Sequence, residues 1–328
     1  MAKKVRKTPP KRKKKKTTKH NAVFFASVKQ MLFWVIILFI GFIGLLFLYN
    51  YLYPGWGGLP EKERQEITLP GEQAPPKKSS KTTSKQVHQK KTVKNISFPE
   101  NAEIPRLRTK KNEQIIVHEG YTVSYNSDYR IANWVAWELT SQEAKSTKVE
   151  RSNKFVKNPF VTGVSATNED YTRTGYDRGH LAPAADMKWS EKAMRESFYL
   201  SNICPQSPAL NRGIWKELEE QSRLWAIENG NLLVVAGPVI TNDLKRLGKN
   251  RVGVPILFYK VICTISDNKY QGIAFLLENK DHKNTTLKAK AIPIDSVEKV
   301  TGIDFFHSLP DDLERKMEAS VDLKYWFL

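Results

Sequence analysis

Tyr176-Asp177-Arg178-Gly179-His180, continued by Leu181-Ala182-Pro183-Ala184-Ala185-Asp186-Met187, is the stretch on which the reading of this chain turns. Asn211, Glu219 and Arg223 follow it. Together these residues supply a candidate general base, a neutral oxygen ligand for a hard metal ion, and two guanidinium groups. Those are the parts needed to cut a phosphodiester with a metal-held leaving group. His180 follows Gly179 and precedes Leu181-Ala182-Pro183, which suggests a turn with the imidazole facing a groove. A neutral imidazole there can take a proton from water near neutral pH.

Each of the other residues has two readings. Asn211 opens a helix expected over residues 211–227, with Ile214, Trp215, Leu218, Ser222 and Trp225 recurring at helical spacing and Asn229-Gly230 as the stop. It is either an N-cap or an amide oxygen on a divalent cation, with waters and phosphate completing the shell, as Mg²⁺ prefers. Glu219 and Arg223, four apart, form an ordinary helical ion pair, or they fix metal-bound water and reach a phosphate. Side chains on a helix lean toward its N-terminus, so both lean toward Asn211. Arg178 pairs with Asp177 or clamps a phosphate, to which its planar fork is suited.

Other chemistries find less support. His118, His282 and His307 have no zinc-ligand spacing. No GxSxG elbow marks a serine nucleophile, and no Walker loop cradles a nucleotide. Cys204 and Cys263 form no disulfide framework; two buried thiols are expected, with one bridge as the alternative.

The formal charge is +19, but it is unevenly placed. Residues 1–30 carry 12 Lys/Arg and no acid, and residues 54–110 carry 12 against 6. From residue 111 onward 29 basic and 28 acidic residues nearly cancel. Any polyanion is therefore met by local sites and a metal, not by bulk charge.

Met31 to Leu48 runs 18 residues without a charge, about 27 Å as a helix and close to a bilayer's hydrocarbon thickness. Trp34 at one end and Tyr49, Tyr51, Tyr53 and Trp56 at the other suit the interfaces. No small-residue cleavage site follows, so residues 31–53 read as an uncleaved signal anchor. The basic flank keeps residues 1–30 in the cytoplasm as a polybasic tail and places the rest outside it. Residues 54–112 read as a disordered tether, with almost no apolar content from Glu72 to Lys94. Residues 113–328 form the folded domain.

Within that domain, residues 115–117, 121–125, 133–139, 232–236, 256–265 and 272–277 read as strands. Residues 190–198, capped by Ser190, and 311–319 read as helices. Strands and helices do not alternate strictly, so the fold is expected to be α+β with a largely antiparallel sheet.

Three motifs carry a resemblance: YDRGHLAPAADM (176–187), SNICPQ (201–206) and LNRGIWKELEEQSR (210–223). They resemble the DNA/RNA non-specific endonucleases, the ββα-metal or His-Me finger enzymes that include secreted bacterial nucleases and endonuclease G. ANWVAWELT (132–140), VVAGPV (234–239), VPILFYKVI (254–262) and TGIDFF (301–306) extend the likeness over about residues 114–310. The resemblance implies His180 as general base and Asn211 as the direct metal ligand. It implies active-site positions for Arg178, Glu219 and Arg223, and places Asn202 as a polar group near the metal that helps bind substrate. It further implies Mg²⁺ as cofactor, with Mn²⁺ as substitute, and hydrolysis of DNA or RNA to 5′-phosphate and 3′-hydroxyl ends. Monomers and homodimers both occur in the family. The anchor and tether depart from its secreted members; the nuclease domain would be periplasmic in a bacterium with two membranes. The alternative from another class is a membrane-tethered nucleic-acid capture module without cleavage.

Overall fold

The computed structural model describes residues 96–109 and 112–327. The tail, the anchor and most of the tether lie outside those residues. Among the described residues no helix is long and apolar enough to cross a membrane.

Seven antiparallel strands form the central sheet. In chain order they are β2 (Gln114–Val117), β3 (Thr122–Asn126), β4 (Ile131–Thr140), β7 (Asn231–Pro238), β10 (Leu257–Ser266), β11 (Lys269–Glu278) and β12 (Ala291–Ile292). Their spatial order is β12-β11-β10-β7-β4-β3-β2. A two-residue strand β1 (Arg106–Leu107) pairs with β13 (Ile303–Asp304), and β8 (Lys245–Leu247) pairs with β9 (Val252–Val254). Ala102 is buried in the core as well. Folded structure thus starts upstream of residue 113, inside the stretch read as tether.

The period of two along the long strands divides their side chains between two cores. On β10, Phe258 and Ile262 join one cluster, and Tyr259, Val261 and Cys263 the other. On β4, Val135, Trp137 and Leu139 face the first cluster, and Trp134 and Ala136 the second. Short helices include α1 (Ser141–Ala144), α2 (Asn168–Tyr171), α3 (Glu191–Ser197) and α4 (Pro208–Asn211). The long helix α5 (Ile214–Asn229) covers the first face with Trp215, Leu218 and Trp225. Helices α6 (Ile294–Thr301) and α7 (Asp311–Glu318) cover the second through Ile294, Val297 and Met317. The result is a helix–sheet–helix sandwich with an antiparallel middle layer.

One expectation is refined and two hold. Ser190 caps α3 as expected, accepting from the backbone of Lys192 and Ala193. The single helix expected over residues 211–227 is instead broken at Arg212-Gly213: Asn211 ends α4, and Gly213 caps α5. A Cβ on Gly213 would lie 2.4 Å from the carbonyl oxygen of Ala209, so the close approach of the two helices requires glycine. Cys204 and Cys263 are free and buried, as expected.

Candidate active site

Two short strands and the α4–α5 pair build the site. Strand β5 (Asp177–His180) pairs antiparallel with β6 (Ile203–Gln206), with Gly179 opposite Cys204 and His180 opposite Ile203. A Cβ on Gly179 would lie 2.0 Å from the Gln206 Oε1, so a larger residue there would have to displace that buried side chain. His180 therefore lies at the end of a strand, not in a turn. Its carbonyl accepts from Trp215 Nε1 at 3.2 Å, which ties β5 to α5.

The imidazole rests edge-on against Phe198, ring centres 4.8 Å apart, and beside Phe155 at 5.5 Å. Its Nε2 is enclosed and has no hydrogen-bond partner. Burial, reinforced by the nearby Arg151 charge, pushes its pKa down to about 3. The ring is thus a neutral base over the whole physiological range.

Asn211 stands across the groove, oriented by Asp177. Its Nδ2 donates to Asp177 Oδ2 at 3.0 Å, and Arg212 forks onto both oxygens of the same carboxylate at 2.8 and 2.7 Å. Partial burial works against ionisation of Asp177, but the hydrogen bonds from Arg212 and Asn211 outweigh it and hold the pKa below the usual carboxylate range. An ionised carboxylate only accepts, so the amide nitrogen must face Asp177 and the amide oxygen faces away. That leaves a hard, neutral oxygen in the groove, the donor that Mg²⁺ chemistry favours.

Arg178 does not pair with Asp177. It donates to Asn168 Oδ1 at 2.6 Å, with its guanidinium 4.9 Å from the centre of the Phe155 ring. Arg151 lies similarly over Phe198 at 5.1 Å. Arg151, Arg178, His180, Asn211, Glu219 and Arg223 line one open groove of about 490 Å³. Five of these six were singled out in the sequence; Arg151, from a segment without regular structure, was not.

The floor of the groove is a buried charge network. Asp186 is 1 % exposed; its Oδ1 pairs with Arg223 at 3.0 Å and its Oδ2 accepts from Trp137 Nε1 at 3.2 Å. The Glu219–Arg223 pair, one of the two readings of these residues, is absent from the ion pairs among the described residues; Asp186 takes Arg223 instead. Burial raises the Glu219 pKa to about 7, with Asp186 adding to the rise and Lys260, Arg223 and Arg151 opposing it.

Asn202 is corrected. It is 0 % exposed, and its amide is fully engaged: Oδ1 accepts from the Ala182 backbone, and Nδ2 donates to the carbonyls of Ala182 and Ser197. With no free polar atom and no surface in the groove, it cannot bind substrate directly. Its work is to pin the chain that leaves His180.

Comparison with known proteins identifies the family. The family model for the DNA/RNA non-specific endonucleases matches residues 98–312. Human mitochondrial endonuclease G is 33 % identical over 205 residues, covering 58 % of this chain and 69 % of its own. A Nostoc protein described as a nuclease is 30 % identical over 220 residues, covering 63 % and 78 %. Nuclease C1 of Cunninghamella echinulata is 37 % identical over 207 residues, covering 58 % and 82 %. A chain of the EndoG/EndoGI complex superposes with a TM-score of 0.58 at 31 % identity, over 61 % of this chain and 89 % of that one. The chain belongs to the DNA/RNA non-specific endonuclease family, whose members are metal-dependent hydrolases.

Proposed function

We propose that this protein is a membrane-anchored, Mg²⁺-dependent endonuclease that cleaves DNA, RNA or both to 5′-phosphate and 3′-hydroxyl ends. The observation that carries the reading is the convergence of an unprotonated His180, a free Asn211 amide oxygen and the Arg178 and Arg223 guanidinium groups on one groove. Asn211 would hold the metal, which when bound offsets charge on the phosphate and on the departing 3′-oxygen.

Because Nε2 is enclosed, His180 takes a proton from the attacking water through Nδ1. Its low pKa keeps that nitrogen open, and an anionic phosphate entering the groove favours the protonated ring as the proton arrives. Arg178, rigid against Phe155, and the outer face of Arg223, whose inner nitrogen is held by Asp186, clamp the phosphate. Glu219, as a carboxylate, would accept hydrogen bonds from water in the groove beside Asn211. These contacts all address phosphate and water and none reads a base, which suits cleavage without sequence preference.

The anchor belongs to this reading too. The apolar run from Met31 to Leu48 behind a basic tail supports a single span with the nuclease domain outside the cytoplasm, periplasmic in a cell with two membranes. On that reading residues 1–30 are tail, 31–53 anchor and 54 to about 95 tether.

The test uses the full-length chain in detergent, with supercoiled plasmid and single-stranded RNA, and a Mg²⁺ titration ended by EDTA. Cleavage that EDTA abolishes is expected, and Asn211→Ala should demand at least tenfold more Mg²⁺ for the half-maximal rate. Retention of nucleic acid without cleavage would replace the enzyme by a capture module. An unchanged titration for Asn211→Ala would move the metal elsewhere.

A further inference from the structure

Lys260 is the only lysine or arginine among the described residues that is fully buried. It interrupts an apolar strand, β10, and the alternation of that strand puts it on the same face as Phe258 and Ile262, beneath α5. Its register neighbours are Ala236 on β7 and Phe275 on β11. Its ammonium has no hydrogen-bond acceptor. It stands 5.0 Å from the centre of the Trp215 ring and 5.4 Å from that of Trp137.

Both tryptophans are tied to the groove. Trp215 holds the carbonyl of His180, and Trp137 holds Asp186. Trp215, Glu219 and Arg223 recur every four residues and so share one stripe of α5. The ammonium therefore lies below that stripe, behind the junction of the His180 strand and the Glu219 helix.

We propose that Lys260 is a positioning residue for phosphodiester cleavage, its ammonium, seated against the two tryptophans that hold the His180 carbonyl and Asp186, being the fixed counter-charge beneath the acidic floor of the groove. The proposal rests on the active-site reading above and adds to it a residue that never touches substrate.

The physical argument is one of alternatives. A methionine would fill this space without the cost of desolvating an ammonium, and two aromatic faces recover only part of that cost. Packing alone does not account for a cation here; the opposite charges do. Burial lowers the Lys260 pKa, and Glu219 and Asp186 hold it up. Reciprocally, Glu219 meets Lys260, Arg223 and Arg151 as cations and Asp186 as an anion. His180, Lys216 and Glu220 complete the titratable and charged lining of the groove around it, with Asn211 and Arg178 opposite. Without Lys260, burial and Asp186 face weaker opposition. Glu219 would then hold its proton to higher pH and lose one of its acceptor positions at neutrality.

The experiment is a single-turnover pH–rate profile of full-length wild type, Lys260→Met and Glu219→Gln on plasmid with saturating Mg²⁺, beside thermal unfolding of each. Lys260→Met should fold with an unfolding midpoint at or above wild type. Its rate should fall about fivefold at pH 7 and recover by pH 9, an acid limb moved up by about one pH unit. DNA binding should be unchanged. A loss uniform in pH, or an unmoved limb, would overturn the proposal.

Glu219→Gln supplies the check that does not depend on the folding of Lys260→Met. It should give a slow rate that is flat across the wild-type acid limb; a limb that persists would show that Glu219 does not set it, and the role of Lys260 would fall. Absence of metal-dependent cleavage by wild type would instead sink the active-site reading itself. Normal wild-type behaviour with an unaltered Lys260→Met profile would sink this proposal alone.

Discussion

On the α5 face of the central sheet two cations, Lys260 and Arg223, lie with two anions, Asp186 and Glu219. On the α6–α7 face five carboxylates, Asp295, Glu298, Asp304, Glu314 and Glu318, crowd together with only Arg106 and Arg108 paired among them. Oxygens of Asp295, Glu298 and Glu318 all lie within 4.8 Å of one another. On the first face cations oppose the rise that burial imposes on both anions, and Glu219 is held at about 7. The second meets its excess with protons: burial, then the neighbouring carboxylates, push Glu318 up to about 9 and Glu314 to about 7. The buried cations that oppose this rise thus sit on the side with the groove.

The largest effect should come from unbalancing the first face. Asp186→Leu leaves Arg223 and Lys260 against Glu219 alone and orphans the Trp137 donor. Removing one partner of a buried pair costs about 3–5 kcal/mol, and denaturant unfolding should show it. Adding Lys260→Met to the same chain should restore part of the loss. A cost for Asp186→Leu below about 1 kcal/mol would mean that the network is not held by its charges.

A smaller effect, opposite in sign, is expected on the second face. The folded-state pKa of Glu318 lies above its unfolded value, so its contribution is fully present below about pH 4.5. That contribution is lost as pH rises toward 9. Glu318→Gln should therefore leave thermal stability nearly unchanged at pH 5. At pH 8.5 it should raise the midpoint by at least a few degrees, each kcal/mol being worth about 2–4 °C in a domain of this size. Cleavage should be unaffected at either pH. Destabilisation at pH 8.5 would show that Glu318 is used as an ion.

The elements that carry strong local pattern were legible in the sequence. The apolar, β-branched and aromatic runs of β4, β7, β10 and β11 and the helical spacing from Ile214 to Trp225 match the observed strands and helix. The short pair β5–β6 was not, because its pairing joins segments more than twenty residues apart and leaves no local pattern. The break at Gly213 is likewise set by how closely α4 and α5 approach.

His180, Arg178, Asn211, Glu219 and Arg223 do converge on one groove, so their motif spacing was informative. Their partners were not legible. Arg223 and Asp186 are 37 residues apart, and Lys260 comes from a different strand again. A signal for Lys260 was nonetheless present: a lone charge at an inward position of an apolar strand, in Leu257-Phe258-Tyr259-Lys260-Val261-Ile262. Asn202 illustrates the opposite error, a polar residue in a chemical motif whose amide is consumed by backbone.

The most direct test of the whole account is the single-turnover cleavage rate of full-length His180→Ala at saturating DNA and Mg²⁺, with DNA affinity measured beside it. The account predicts a loss of about 10²–10⁴-fold in rate with affinity largely retained. A rate near that of wild type would contradict it and remove His180 from the reaction.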